Sequence, residues 1–319
     1  MIRSRIQGGL AVLFAAAALA AAQTSPELRT ADTVLRFAAG ANAPLLTSLQ
    51  PAGQQAWTNR TGETLIDHVE ADGQALPVRW QFNRAASHSS ARGVAFVYDS
   101  ASPRLRLTWE WKARAAQGPI EHQITIQNLG SRELWLPMQD SLRFDWRVSP
   151  QAGLRETYVE KGAGTPSTVG THDVDVPEGY TWEGTSSTYA RPEKGGPREI
   201  IPWMLVQQAA GTQSGWYAGI EFSGRTRLAL SRNGDSLQGA AGLNPDPGPF
   251  RTRLRPGESF ATPLVFVGAF HGGADSAGNI LRRWVRDVLG NPGTWKNPDY
   301  PVLVNNSWGS GMQIDQALA

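Results

Sequence analysis

Between Thr33 and Phe270 the chain is a succession of short apolar or alternating runs closed by Gly, Pro, Asn or Asp, and no ten-residue stretch repeats at helical spacing before residue 275. Leu105, Leu107, Trp109 and Trp111 share one side of an extended segment, and Arg106, Thr108 and Glu110 share the other. That is the period-two pattern of a half-buried strand. Comparable runs lie at 34–37, 64–69, 78–82, 94–98, 121–127, 133–137, 142–148, 203–207, 215–222 and 225–230. Asp72-Gly73, Ser102-Pro103 and Asn128-Leu129-Gly130 supply turns between them. Residues 251–254 and 260–270, joined by Arg255-Pro256-Gly257, read as a late strand pair. The stretch 153–202 is rich in Gly, Ser, Thr and Pro and predicts long loops, with a strand or two near 157–161. The implied fold class is mainly β: antiparallel sheets packed as one large sandwich over residues 30–272. No repeat of roughly 20–50 residues is present, which argues against a propeller.

The pattern changes at residue 275. Ile280, Leu281, Trp284, Val285 and Val288 recur at helical spacing, with Arg282, Arg283, Arg286 and Asp287 on the other faces. Asp275 or Ser276 can cap the start, and Gly290 with Pro292 can end it. Residues 273–299 therefore read as a connector helix and linker. After Pro301 comes an apolar run, Val302 to Val304, then a Gly-rich polar turn holding Trp308, then a helix start from Asp315 to Ala319. Strand, loop and helix start make the first βα unit of an α/β repeat, over residues 300–319. A lone βα unit cannot bury its own faces.

Residues 1–22 carry a charged start (Arg3, Arg5), a short apolar run from Leu10 to Leu19 and a small-residue site at Ala20-Ala21-Ala22. This is the form of a cleavable signal peptide, so the expected location is the bacterial periplasm or exterior. Removing it takes two Arg and no acid from the 30 basic and 28 acidic residues, leaving 28 of each. A neutral mature chain without a Lys/Arg cluster gives no reason to expect a nucleic acid partner. No later stretch is apolar and long enough to span a membrane. The chain has no Cys, which excludes thiolate chemistry and Cys metal sites.

Large β domain, basic helix, then Pro301-Val302 and Asn306-Ser307-Trp308 occur in an order that resembles the N-terminal half of glycoside hydrolase family 36-type α-galactosidases. Three further stretches are similar to that family: Ile201-Pro202-Trp203 followed by 215–224, Leu254-Arg-Pro-Gly-Glu-Ser259 with Thr262-Pro263, and the helix at 279–286. The resemblance implies a galactose mutarotase-like β-supersandwich ahead of a (β/α)8 catalytic barrel whose first strand carries Asn-Ser-Trp. It implies retaining hydrolysis of α-galactosides, a carbohydrate partner and no cofactor, and is compatible with a homo-oligomer. Where the family continues Glu-Ala after the Trp, this chain has Gly309-Ser310. The family's catalytic carboxylates lie beyond its first barrel strand and match no residue here.

The substrate-binding candidates are Trp308 and Asn306. The C-terminal end of a barrel strand faces the active site, so the Trp308 indole either walls a sugar subsite or packs beneath the barrel or against the sandwich. The amides of Asn305 and Asn306 either bind hydroxyls or close a local turn. Asp173 and Asp175 read as solvated loop acids, and Asp315 as a helix cap. The five His (68, 88, 122, 172, 271) lack metal-ligand spacing. His172 is the loop candidate for the His acid that a mutarotase uses. The alternative to an enzyme fragment is a non-catalytic carbohydrate-binding sandwich. Twelve Trp serve core and cross-strand pairs first, and sugar stacking second.

Overall fold

The computed structural model describes residues 25–160, 170–186, 198–211, 213–246, 248–290, 293 and 296–298. The strand segment Arg104–Lys112 shows why the chain folds as it does. Leu105, Leu107, Trp109 and Trp111 are fully buried, and the intervening polar residues are not. This strand pairs antiparallel with Gly93–Ala101 and Ile120–Asn128, residue against residue. Phe37, Phe96, Trp109, Trp111 and His122 interlock at ring spacings of 4.3–5.7 Å. Each such aromatic removes on the order of 200 Å² from water, roughly 5 kcal/mol of gross hydrophobic gain.

Among the described residues three sheets enclose that core. A four-stranded sheet starts the chain: Glu27–Arg29, Thr33–Ala39, Pro44–Pro51 and Trp57–Thr58. A second four-stranded sheet joins Thr252–Leu254, Leu134–Leu136, His68–Ala71 and Gln74–Pro77. The third has fifteen strands. Its central path runs Leu142–Arg147, Ser236–Leu243, Thr226–Asn233, Thr181–Thr185, Arg198–Gln208, Gly215–Glu221, Leu264–Phe270, Ile120–Asn128. The ladders are antiparallel except one short parallel contact, Gly184 and Thr185 against Arg198 and Glu199.

The large sheet is buried on both sides at its centre. Trp216, Ala218, Ile220, Val265, Val267 and Ala269 face the sandwich core. Tyr217, Phe266 and Phe270, at the alternate positions, face the helix Ala274–Trp284. That explains why Gly215–Glu221 is apolar on both faces.

Three expectations are corrected. The stretch 153–202 is mostly strand where described: Leu154–Glu160, Gly170–Asp175, Thr181–Thr185 and the start of Arg198–Gln208. Gly170–Asp175 has a single apolar side chain, Val174, on its half-buried face, so it carries no apolar stripe to read; its ladder to Leu154–Glu160 makes it a strand. The late pair does not pair with itself. Thr252–Leu254 joins Leu134–Leu136, while Ser259–Ala261 joins Ile120–Asn128. The helix begins at Gly273, whose φ of 84° and close approach to Gln213 suit glycine, and no side chain caps it. It runs to Trp284 and continues as a wider π-type turn, Val285–Leu289. The signal segment 1–22 and the βα unit 300–319 lie outside the described residues.

Candidate functional site

Trp308 and Asn306 lie outside the described residues, as do Asn305 and Asp315. The described site nearest to them along the chain is the helix-covered face of the large sheet. Two glycine–aromatic pairs build it. Gly219 is the ladder partner of Phe266, and Gly268 of Tyr217. In each pair the ring lies over the glycine, where a β-carbon would collide with it. Trp284 closes over Phe266 at 5.4 Å between rings and over Gly118, where a β-carbon would come within 2.8 Å of the indole. Beside Trp284 a cavity of about 280 Å³ opens between the 115–118 loop and the helix.

Next to Trp284 the face carries charge. Arg114 donates from Nε to Glu121 Oε1 at 2.7 Å, and its Nη2 reaches both Glu121 and, at 3.4 Å, Glu221 Oε2. Its guanidinium carbon lies 5.9 Å from the Trp284 ring centre. The carboxyls of Glu121 and Glu221 thus meet at one guanidinium. Burial first, and Glu121 second, push Glu221 up to about 7 against the pull of Arg114. With Arg114 across both carboxyls, the group reads as a clasp between the sheet and the 113–118 loop. Glu221 lies 107 residues from Arg114 in sequence; the only local sign is an acid at the end of a strand apolar on both faces.

Other titratable groups are set by the core. Glu63 is buried and accepts from Arg143 N at 2.9 Å and Trp109 Nε1 at 3.4 Å; burial pushes it up to about 8. Glu156 accepts from the Tyr180 hydroxyl at 2.6 Å and burial pushes it up to about 8. His122 donates from Nδ1 to Glu110 O at 2.7 Å, stacks on Trp111 and is pushed down to about 3 by burial.

His172 is on a strand, not in a loop. It stacks on Tyr158 with ring centres 4.9 Å apart and its Nε2 lies 3.0 Å from Glu160 Oε2. Asp173 and Asp175 are solvent-exposed as expected, but they too are on this strand, and Arg155 bridges them at 3.2 and 3.4 Å. Among the described residues no group of three or more His, Cys, Asp or Glu is placed to hold a metal ion.

At the far end of the same sheet lies a polar ladder. Buried Asp140 accepts from Arg143 Nε at 2.7 Å and from Arg227 Nη2 at 3.4 Å, and Arg227 Nη1 donates to Glu183 at 3.3 Å.

No family model matches the sequence. No curated protein matches it either. Solved structures do match. The chain is similar to the GH36 α-galactosidase AgaB from Geobacillus stearothermophilus with TM-score 0.66 and 15% identity, over 88% of this chain and 44% of that one. The AgaA enzyme of the same organism gives 0.60 and 14%, over 80% and 42%. The α-galactosidase from Lactobacillus brevis gives 0.61 and 13%, over 82% and 41%. This chain thus spans about 42% of the AgaA chain. The described residues have the fold of somewhat less than half of a GH36 α-galactosidase chain.

Proposed function

We propose that this chain is the N-terminal sandwich, and the start of the catalytic barrel, of an exported retaining glycoside hydrolase of the α-galactosidase type. The observation that carries the reading is the asymmetric match: four-fifths or more of this chain superposes on less than half of each of those enzymes. The order of the chain agrees, because the sandwich and helix lead into Pro301 and the Asn306-Ser307-Trp308 motif. The surface supports it as well. Among the described residues the exposed large hydrophobics are Ile201, Phe222, Val285 and Leu289, and all four belong to or adjoin elements of the helix-covered face. Apolar side chains left uncovered at the end of a covered face are what a following domain packs against.

In this reading the sandwich supports the barrel, and the two carboxylates of the double displacement, roughly 5 Å apart, come from barrel strands after residue 319. Trp308 and Asn306 contribute to the sugar subsite at the mouth of the first strand. Residues 1–22 direct export and are removed. The resemblance indicates oligosaccharides bearing α-galactosyl ends as substrates.

The test is to express the genomic reading frame that contains this sequence and assay nitrophenyl α-galactoside. The extended product should turn over, the 319-residue chain should not, and Trp308→Ala in the extended product should lower kcat/KM at least tenfold without changing its melting temperature. Turnover by the 319-residue chain that a substitution within residues 25–298 abolishes sinks the proposal. So does an extended product with no glycosidase activity.

A further inference from the structure

The polar ladder lines a surface cleft that the glycosidase reading does not use. The strands Leu142–Arg147, Ser236–Leu243, Thr226–Asn233 and Thr181–Thr185 lie side by side. On the side away from the core they present a floor of two alanines, Ala229 and Ala240, which are ladder partners. Neither bears a side chain large enough to fill the space above it. The result is an open cleft of about 400 Å³, within the range of small-molecule sites, roughly 300–1,000 Å³.

The rim determines the ligand class. Arg143, Arg227 and Glu183 line it, and Asp140 lies buried behind them. Asp140 holds Arg143 at 2.7 Å and Arg227 at 3.4 Å, and Arg227 also holds Glu183 at 3.3 Å. Two cations therefore meet two anions, and the cleft carries no net charge to draw an ion. The two guanidiniums are anchored from behind, so little side-chain freedom is lost when something binds. The other polar groups on the rim are neutral: the hydroxyls of Thr181 and Ser231 and the amide of Gln238. The rim thus offers both donors and acceptors: two guanidiniums held by carboxylates, the Glu183 carboxylate, two hydroxyls and an amide. A ligand that uses this pattern is itself uncharged and dense in hydroxyls, each both donor and acceptor.

We propose that the cleft over Ala229 and Ala240 binds a short neutral oligosaccharide, independently of any hydrolytic site. The sandwich then holds saccharide at a second place, on a rigid sheet rather than on loops. The inference goes beyond the glycosidase proposal and does not depend on it, since it concerns binding by the described residues alone.

The experiment uses the full 319-residue chain and raffinose as the probe, followed by saturation-transfer NMR and calorimetry. Raffinose should bind the wild type, and Ala229→Tyr, which lays a ring across the floor, should weaken binding at least tenfold at unchanged melting temperature. If Ala229→Tyr fails to fold, the exposed rim variants Gln238→Ala and Glu183→Ala carry the test, each with an expected loss of threefold or more. Digalacturonate, of similar shape but charged, should bind no better than raffinose. Absence of raffinose binding, binding that all three variants leave unchanged, or a tenfold preference for digalacturonate overturns the assignment. Loss of glycosidase activity in an extended product, with raffinose binding here intact, would count against the enzyme reading only.

Discussion

Gly219 and Phe266 are ladder partners on the helix-covered face, and the phenyl ring occupies the space that a β-carbon at position 219 would need. Phe266 in turn contacts Trp284 on the helix. Glycine here permits a close approach that seats the ring beneath the helix. Gly219→Ala should therefore destabilise the protein by ~1–3 kcal/mol, the usual range for forcing extra volume into a packed site. Urea unfolding measures this. Gly278→Ala is the matched control: it lies inside the helix with nothing within 4 Å of an added β-carbon. It should raise stability by about 0.5–1 kcal/mol through helix propensity. Equal effects of the two substitutions would show that the ring does not need the gap.

Arg232 is buried, and its guanidinium donates to four carbonyls: Ala152 at 2.9 Å, Val176 at 2.7 Å, Ser149 at 3.2 Å and Pro150 at 2.9 Å. It ties the turn after Leu142–Arg147 to the end of Gly170–Asp175. Arg232→Met keeps the apolar stem and strands the carbonyls, so the expected loss is about 3 kcal/mol or more. Arg232→Lys should recover part of that, since an ammonium has three donors but not the planar fork. A loss in Arg232→Met below about 1 kcal/mol by denaturant melt would mean that water replaces the arginine.

Much of this fold is readable from single residues. Leu105 to Trp111 announces its strand because one face is wholly apolar and the other polar. The helix announces itself through Ile280, Leu281 and Trp284. What stays hidden is non-local. Gly170–Asp175 has only Val174 as an apolar side chain on its half-buried face, and pairing with Leu154–Glu160 makes it a strand. Thr252–Leu254 looks like the partner of the strand that follows it, but its partner is Leu134–Leu136, more than a hundred residues earlier. The Arg114–Glu121–Glu221 clasp and the Asp140–Arg143–Arg227–Glu183 ladder each join strands distant in sequence, so no spacing rule finds them. The start of the helix is hidden because Gly273, with its left-handed φ, takes the place that a side-chain cap would fill.

Glu63 gives the stability a pH dependence whose sign is opposite to that of a salt-bridged acid. Its carboxyl is buried and accepts from a backbone amide and an indole rather than from a cation. Burial raises it from 4.5 to about 8 in the fold. The folded chain thus holds this proton more tightly than the unfolded chain does. The stabilisation is complete below the unfolded value of 4.5 and is lost as pH rises through about 8. Glu156, raised to about 8, and Glu221, raised to about 7, act in the same direction. Glu63→Gln is uncharged throughout. It should match the wild type near pH 4.5 and exceed it above about pH 8. The gain should be a few kcal/mol at most, since each tenfold change in proton affinity is worth on the order of 1.4 kcal/mol. Thermal melts across that range decide it, and parallel curves for the two proteins would exclude a neutral Glu63.

Trp284 belongs to a different cluster from the sandwich core: it packs with Tyr217, Phe266, Phe270, Ala277 and Ile280, on the opposite side of the large sheet from Trp109 and Trp216. The two clusters share strands but not side chains, so loss of one need not unravel the other. Trp284→Ala removes the ring that covers Gly118 and Phe266 and takes away the surface against which Arg114 rests. The local cost, about 3–5 kcal/mol for a buried Trp, exceeds what an eleven-residue helix can supply on its own. The helix should therefore leave the sheet while the sandwich stays folded. Hydrogen exchange is the measurement. Amides of Ala274–Trp284 should exchange fast in the variant, and those of Arg104–Lys112 should remain protected. Uniform acceleration across both would show that helix and sandwich unfold as one unit, and that the helix is part of the sandwich rather than a connector laid upon it.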